Sequence, residues 1–327
     1  MKPRIPTFWK VAVGLLILAF VAAVTIRNEY VFFAGYVVLQ FVVLATAWNI
    51  LGGYAGYVNF GTGAFFGLGC YAAVVLFKAA GAPLLVQIVV GAAASGLLGL
   101  AAGLLTMRLR GIFFAIATVA VAIIAETVIL NWRYVGGAAG VQLLHPPAIA
   151  PFRSYNRMLF CVMALLAVVA AWTARFIETS WIGRGLRAIR DGEEAAESCG
   201  VPTLKLKLFA CTVSGALMGA AGAPLPMYQS YVEPASTFSL HYSVSALAMP
   251  MIGGTAHWLG PVFGAILLAS IQQIVTVTIS NELNVLVVGL VLVVFVVAAP
   301  AGMVGLVAKY RRKRAKEDAR VHHAVAG

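Results

Sequence analysis

Trp181-Ile-Gly-Arg-Gly-Leu-Arg-Ala-Ile-Arg-Asp-Gly-Glu-Glu-Ala-Ala-Glu-Ser-Cys-Gly-Val-Pro202 is the longest internal polar stretch of the chain, and what flanks it decides the fold. On one side runs Met158 to Ile177 and on the other Leu206 to Tyr228. Each approaches the roughly 20 mostly apolar residues that carry a helix across a hydrocarbon core about 30 Å thick. The stretch itself has its own pattern. Arg184, Arg187 and Arg190 recur every third position, while Leu186, Ile189, Ala196 and Val201 form an intermittent apolar face, the signature of a short amphipathic helix, a turn and a second helix. Gly200 followed by Pro202 is a helix stop. Taken alone, the same residues also fit a solvated loop laced by salt bridges three residues apart.

Outward from this island the chain stays apolar. Of 327 residues 62% are hydrophobic and 10% charged, where a soluble domain carries about a quarter charged. The mean hydropathy of +0.95 is spread over the whole length, which excludes a soluble enzyme with a single anchor. Cutting at charges, prolines and glycine clusters gives Val11 to Ile26, Tyr30 to Leu51, Val58 to Phe77, Pro83 to Met107, Ile112 to Leu130, Met158 to Ile177, Leu206 to Tyr228, Val244 to Trp258, Val262 to Ile279, and Leu283 to Val307. The expectation is an all-α polytopic membrane protein of about ten transmembrane helices.

The formal net charge of +12 would suit a polyanion, but its placement points elsewhere. Lys2, Arg4 and Lys10, then Arg108 and Arg110, then the arginines of the island, then Lys309 and Arg311 to Arg314 all adjoin span ends. Positive charge there marks cytoplasmic segments, so topology accounts for the excess and no nucleic-acid partner is expected. An even number of crossings puts both basic tails in the cytoplasm, the island inside, and the connection Asn131 to Arg157 outside. Arg133, Arg153 and Arg157 on the outer side obey the rule only as a bias. Val11 to Ile26 is read as a span and not a cleaved signal, because no small-x-small cleavage site follows. Cys70, Cys161, Cys199 and Cys211 have no metal-ligand spacing, and no Gly-x-x-x-x-Gly-Lys-Ser/Thr run offers a nucleotide site, so neither metal nor cofactor is expected.

Two segments depart from ordinary spans. Val58 to Phe77 opens on Asn59-Phe-Gly-Thr-Gly-Ala and continues through Gly67 and Gly69, and Val244 to Trp258 holds Pro250, Gly253-Gly254, Thr255 and His257. Backbone freed by Gly and Pro must be buried in protein or line a wet cavity. Close packing through Gly63-x-x-x-Gly67 is the structural alternative. Polar groups in or beside the spans, Asn49, Asn59, Thr62, Thr118, Ser214, Ser245 and Thr255, are candidates for a translocation path, with hydrogen bonding of Ser and Thr to their own helix as the alternative. Glu126 is the one acidic residue well inside an expected span, and an intramembrane carboxylate is costly. Solvation near the span end or pairing with Arg133 is the competing account.

Gly183-Arg184-x-Leu-Arg-Ala-Ile-Arg-Asp191 with Glu193-x-Ala-Ala-Glu-x-x-Gly200 resembles the coupling loop of ATP-binding-cassette importer permeases, in the version found in the branched-chain amino acid permease family. Four further stretches match in the family's order: Arg110-Gly-Ile-Phe-Phe-Ala-Ile-Ala-Thr118; Asn131-Trp132 with Gly136-Gly137 and Gly140; Ser214-Gly-Ala-Leu-Met-Gly-Ala-Ala-Gly222; and Ile252-Gly-Gly-Thr-Ala-His-Trp-Leu-Gly-Pro261 with Gly264-Ala265. The resemblance implies a single permease domain over 1–327, with 1–10 as a cytoplasmic N-terminus, 178–203 as a cytoplasmic coupling helix pair and 308–327 as a basic cytoplasmic tail. It implies a bacterial inner-membrane importer with a second permease subunit, cytoplasmic ATPase subunits and a periplasmic solute-binding protein, moving branched-chain or other hydrophobic amino acids. The chain itself would not be an enzyme; ATP would act on the partner subunits. Gly183, Arg187, Arg190, Asp191, Ala195, Ala196 and Gly200 are the implied ATPase-coupling residues, the two alanines being small so that they pack closely. Urea, short amides or aromatic acids as solutes, and an ion-coupled secondary transporter, are the competing functions. A topology reporter fused after Lys316 is expected to read cytoplasm and one at Ala139 the outside; the same side for both would break the span count.

Overall fold

The computed structural model of the chain describes residues 5–26, 28–106, 109, 111–143, 152 and 154–278, with isolated positions beyond. Lys2, Arg4, Arg108, Arg110, Arg153, the C-terminal basic tail and nearly all of the expected span Leu283 to Val307 lie outside the described residues. In chain order come α1 (Ile5–Thr25), α2 (Glu29–Leu51), α3 (Thr62–Ala80), α4 (Leu84–Thr106), α5 (Ile112–Leu130), β1 (Val141–Gln142), α6 (Tyr155–Thr179), α7 (Trp181–Asp191), α8 (Glu193–Ser198), α9 (Thr203–Gly222), α10 (Leu225–Gln229), β2 (Tyr231–Val232), α11 (Pro234–Thr237), α12 (Leu240–Gly253) and α13 (Leu259–Thr278). Eight described segments are long and apolar enough to cross a membrane: α1 to α6, α9 continued by α10, and α13. Hydrocarbon offers no partner to a backbone N–H or C=O, and a helix satisfies both internally, so these runs of Leu, Val, Ala and Ile have no other stable form there.

The polar island folds as α7 and α8, a helical hairpin at one end of the bundle. The opposite end carries an antiparallel pair, β1 with β2, in which Val141 faces Val232 and Gln142 faces Tyr231. These ends are called the hairpin face and the ribbon face below. Helix α2 is the central post, buried continuously from Gln40 to Leu51 and packed on α6, α9, α12 and α13. The closest packing joins α4 to α9, with α3 alongside. Here helices meet through glycine: a Cβ on Gly69 would lie 2.2 Å from the Gly219 carbonyl oxygen, and one on Gly219 would lie 2.2 Å from Ser95 Oγ. Lipid supplies no hydrophobic force between helices, so backbone proximity of this kind supplies the dispersion contacts instead.

Arg157 resolves an oddity of the charge pattern. It is 2% exposed, yet sits near the ribbon face, the side that the charge bias would leave poor in cations. Its guanidinium binds the Glu29 carboxylate at 2.8–2.9 Å and the Ala23 carbonyl at 3.1 Å, and covers the Phe32 ring. Arg157 is therefore a neutralised clamp holding the α1–α2 turn to α6.

The two segments expected to be interrupted are interrupted, with shifted bounds. After α2 ends, residues 52–61 turn back and extend, and helix resumes only at Thr62. Helix α12 has 14 residues, a length of about 21 Å, and so covers only part of the hydrocarbon core. It contains Pro250 and stops at Gly254, whose φ of +108° suits only glycine. Both accounts of Gly63 and Gly67 apply, because these residues take the Phe238 carbonyl and ring at close range while their helix begins inside the protein.

Gly219→Val places methyl groups against Ser95 and the Gly91 backbone, where neither can yield, and is expected to cost about 1–3 kcal/mol or more. Gly14→Val on α1, with nothing within 4 Å, is expected to cost nothing measurable. Thermal unfolding of the purified variants in detergent checks the contrast, and equal midpoints would refute the seam.

Candidate functional site

The start of α3 is built from side chains of three other elements. Phe60 N–H donates to Thr118 Oγ1 on α5 at 3.0 Å, and Gly61 N–H donates to Asn59 Oδ1 at 2.7 Å. Ser243, in the first turn of α12, donates to the Phe60 carbonyl at 2.6 Å and accepts from Gly63 N–H at 3.2 Å. Trp48 Nε1 donates to the Asn59 carbonyl at 2.7 Å. The first turns of α3 and the shorter α12 thus meet inside the bundle, and the backbone groups that an unbroken helix would have satisfied are met by Thr, Asn, Ser and Trp. Thr62, fully buried at the first position of α3, is left with a hydroxyl that makes no hydrogen bond.

The hairpin is tied directly to the connection before α3 and, through Glu178 at the end of α6, to the turn after α12. Arg190 Nη1 donates to the Gly53 carbonyl at 2.7 Å, and its stem lies against Gly56. Glu193, at the start of α8, accepts from the Tyr57 hydroxyl and pairs with Lys207 of α9 at 2.5 Å. Lys207 is 2% exposed, a cation held in the bundle end by a carboxylate and by the Tyr57 oxygen at 3.3 Å. These contacts grip the connection that leads into α3. Glu178, just before the hairpin, accepts from Trp258 N–H at 2.7 Å and from Tyr54 Oη at 3.4 Å, while Asn49 Nδ2 donates to the Thr255 carbonyl at 3.2 Å. Those grip the turn that follows α12. Burial, followed by the Glu178 charge, raises the Tyr54 pKa, so its phenol stays a neutral donor.

A cavity of about 580 Å³ opens between the hairpin and this connection. Tyr57, Val58 and Phe60 line it with Ile112 and Ala115 of α5, and Arg190 and Glu193 bring charge from the hairpin. Phe60 is shared: it lines the cavity while its backbone belongs to the junction of α3 with α5 and α12. The cavity therefore reaches from the hairpin to Phe60, two residues before α3 begins.

A family model described as the branched-chain amino acid transport system permease component matches residues 30–296. The chain belongs to that family. Among individual relatives, the high-affinity branched-chain amino acid transport system permease protein LivM of Salmonella typhimurium and that of Escherichia coli are each 25% identical over 80% of this chain and 67% of their own length. A probable branched-chain amino acid transport permease protein LivH from Methanocaldococcus jannaschii is 25% identical over 76% of this chain and 83% of its own. No solved structure matches. As a member of the branched-chain permease family, the chain is a multi-pass membrane permease component of a transport system.

Within this permease, Asn59, Thr62 and Thr118 come together at the junction, whereas Ser245, two residues after Ser243 on α12, turns to α13, where its hydroxyl accepts from Gln272 Nε2 at 3.5 Å. Ser214 lies apart, donating to the Ala47 carbonyl and fastening α9 to α2. Thr255 belongs to the hairpin face through its carbonyl. Glu126 is half-buried on α5, eight residues toward the ribbon face from Thr118, and among the described residues no hydrogen bond or ion pair joins it to Arg133. On the hairpin, Gly183 makes the tight corner from α6, where a Cβ would lie 2.3 Å from the Ile177 carbonyl oxygen. Arg187 donates to the Glu178 carbonyl, Asp191 ends α7 exposed, and Gly200 turns with φ +80°. The alanine pair divides: Ala196 is buried in its own chain, whereas Ala195 is exposed.

Ser243, Glu178, Tyr57, Glu193 and Lys207 are the residues that sequence reading left out of the site. Lys207 carried a signal, as a cation at the start of an apolar run; Ser243 carried none. Removing either member of a pair with a buried cation costs more than removing both. Glu193→Gln and Lys207→Met are expected to destabilise singly, and the double variant to lose less than their sum by about 1–3 kcal/mol. Thermal unfolding of the four proteins measures the coupling, and additive losses would mean that the two groups do not meet.

Proposed function

We propose that this permease is one of two membrane subunits of an ATP-driven importer in the bacterial inner membrane, taking branched-chain or other apolar amino acids from a periplasmic binding protein. The hairpin face is cytoplasmic, both termini lie on that side, and α7 and α8 seat in a groove of an ATPase subunit. ATP acts there and no cofactor is held by this chain. The observation that carries the reading is the set of ties that run from the hairpin to the connection before α3, Arg190 to Gly53 and Glu193 to Tyr57 and Lys207, and, through the Arg187 contact with Glu178 at the end of α6, to Trp258 in the turn after α12. Movement of an ATPase surface against the hairpin displaces the connection before α3 and the turn after α12 together, and so acts on the place where the two helices begin. Packed interfaces switch between discrete arrangements, which suits alternation between outward-open and inward-open states. The cavity beside Arg190 and Glu193 is then the cytoplasmic end of the path, with apolar walls for an apolar side chain.

Ala195, exposed on α8, is the alanine placed to meet the ATPase, and Gly200 is held at a φ that costs other residues about 1–2 kcal/mol. Ala195→Trp is expected to leave insertion and thermal stability unchanged but to abolish ATPase copurification and solute uptake in reconstituted complexes. Gly200→Val is expected to lower uptake, and Arg187→Glu to weaken ATPase association more at low salt than at high salt. Full uptake by both Ala195→Trp and Gly200→Val would reduce the hairpin to a connector and remove the main support for this function.

A further inference from the structure

The cavity at the hairpin face is walled by three separate parts of the chain. The hairpin contributes Arg190 and Glu193, the connection before α3 contributes Val58 and Phe60, and α5 contributes Ile112 and Ala115. Its volume of about 580 Å³ lies within the range, roughly 300–1,000 Å³, of sites that take small molecules. Arg190 and Glu193 are the charged members among the described lining residues, and Glu193 is matched by Lys207 at 2.5 Å. The charge left over at the wall is therefore that of Arg190. A guanidinium has five N–H donors, and among the described residues Arg190 gives one, from Nη1, to the Gly53 carbonyl. Donors remain for a second acceptor, and the planar fork of a guanidinium matches a carboxylate. Val58, Phe60, Ile112 and Ala115 supply an apolar wall beside it.

A molecule held against both Arg190 and Phe60 joins the hairpin to the connection before α3, which Arg190 alone already touches at Gly53 and Gly56. We infer that this cavity is a cytoplasmic solute-binding site through which accumulated solute inhibits the permease: a carboxylate on a short branched apolar chain binds Arg190, and the chain rests on Val58, Phe60 and Ile112. The inference rests on the importer reading, in which the hairpin face is cytoplasmic. Because the walls belong to different parts of the chain, an arrangement that separates the hairpin from the connection loses the site. A ligand stabilises the arrangement that it binds, and at about ten times its dissociation constant it shifts the balance toward that arrangement about elevenfold.

Thiol protection measures the site apart from transport. Val58, 38% exposed, is replaced as Val58→Cys in a background carrying Cys161→Ser and Cys199→Ser, and the full-length protein, purified with its copurifying subunits and without nucleotide, is alkylated with N-ethylmaleimide. Leucine and 4-methylpentanoate are expected to slow alkylation, whereas 3-methylbutylamine, which lacks the carboxylate, is expected to protect about tenfold more weakly, and adding Arg190→Gln is expected to weaken protection by leucine about tenfold. Transport is then read in proteoliposomes with ATP and unlabelled leucine inside and labelled leucine with the binding protein outside. Luminal leucine at about ten times the constant found by protection is expected to slow initial uptake about tenfold relative to vesicles without it. No protection by leucine, equal protection by 3-methylbutylamine, or protection unchanged by Arg190→Gln would overturn the site, and equal uptake into leucine-loaded and leucine-free vesicles would overturn the inhibition. Absence of ATP-driven uptake even into leucine-free vesicles would instead sink the importer reading and the inhibition with it, while the thiol measurement still decides the site.

Discussion

A backbone amide in hydrocarbon must have a partner, and Phe60 is where this bundle meets that demand without a helix. Its N–H goes to a threonine on α5 and its carbonyl to a serine on α12. Each such group left unmet would cost several kcal/mol, so α3, α5 and α12 hold their relative positions as a condition of the interruption being there at all. The glycine seam of α3, α4 and α9 is the rigid wall against which this junction is assembled.

The hairpin face is held together by groups of the same economy. Arginine and glutamate side chains reach past their own helices to bind backbone carbonyls, a buried lysine and a backbone N–H. Directional, short contacts of this kind resist being stretched, while the apolar faces beside them slide with little change in contact area. The hairpin is thereby joined by specific contacts to the connection before α3 and, through Glu178, to the turn after α12.

Much of this was legible in the sequence because lipid leaves few choices. The spans followed from length and apolarity, the hairpin from charge every third residue with Gly200 and Pro202 behind it, and the interruptions from Gly and Pro within apolar runs. Which side chains serve those interruptions was only partly legible. Asn59 and Thr118 stood out as polar residues in apolar surroundings, but Ser243 is defined by a contact across about 180 residues of chain, and no local pattern marks it. Ala195 and Ala196 look alike as letters; one faces its own chain and the other does not, because the turn at Gly192 sets the rotation of α8. Ser214 fits the pattern of a path residue and serves instead to lock α9 to α2.

Among the described elements α1 packs mainly on α6, and that bears on how the protein is made. The family's matched region begins at residue 30, after α1, and the junction, the glycine seam and the hairpin ties are all formed by later residues. Of the described spans α1 is made before the others, and its Lys10 at one end is the kind of charge that biases which way a helix threads. The Arg157 clamp, which fixes the α1–α2 turn, comes from α6, so it closes only after four more spans are in place. Helix α1 is thus made before the other described spans, while the clamp on the turn that follows it closes only once α6 lies beside it.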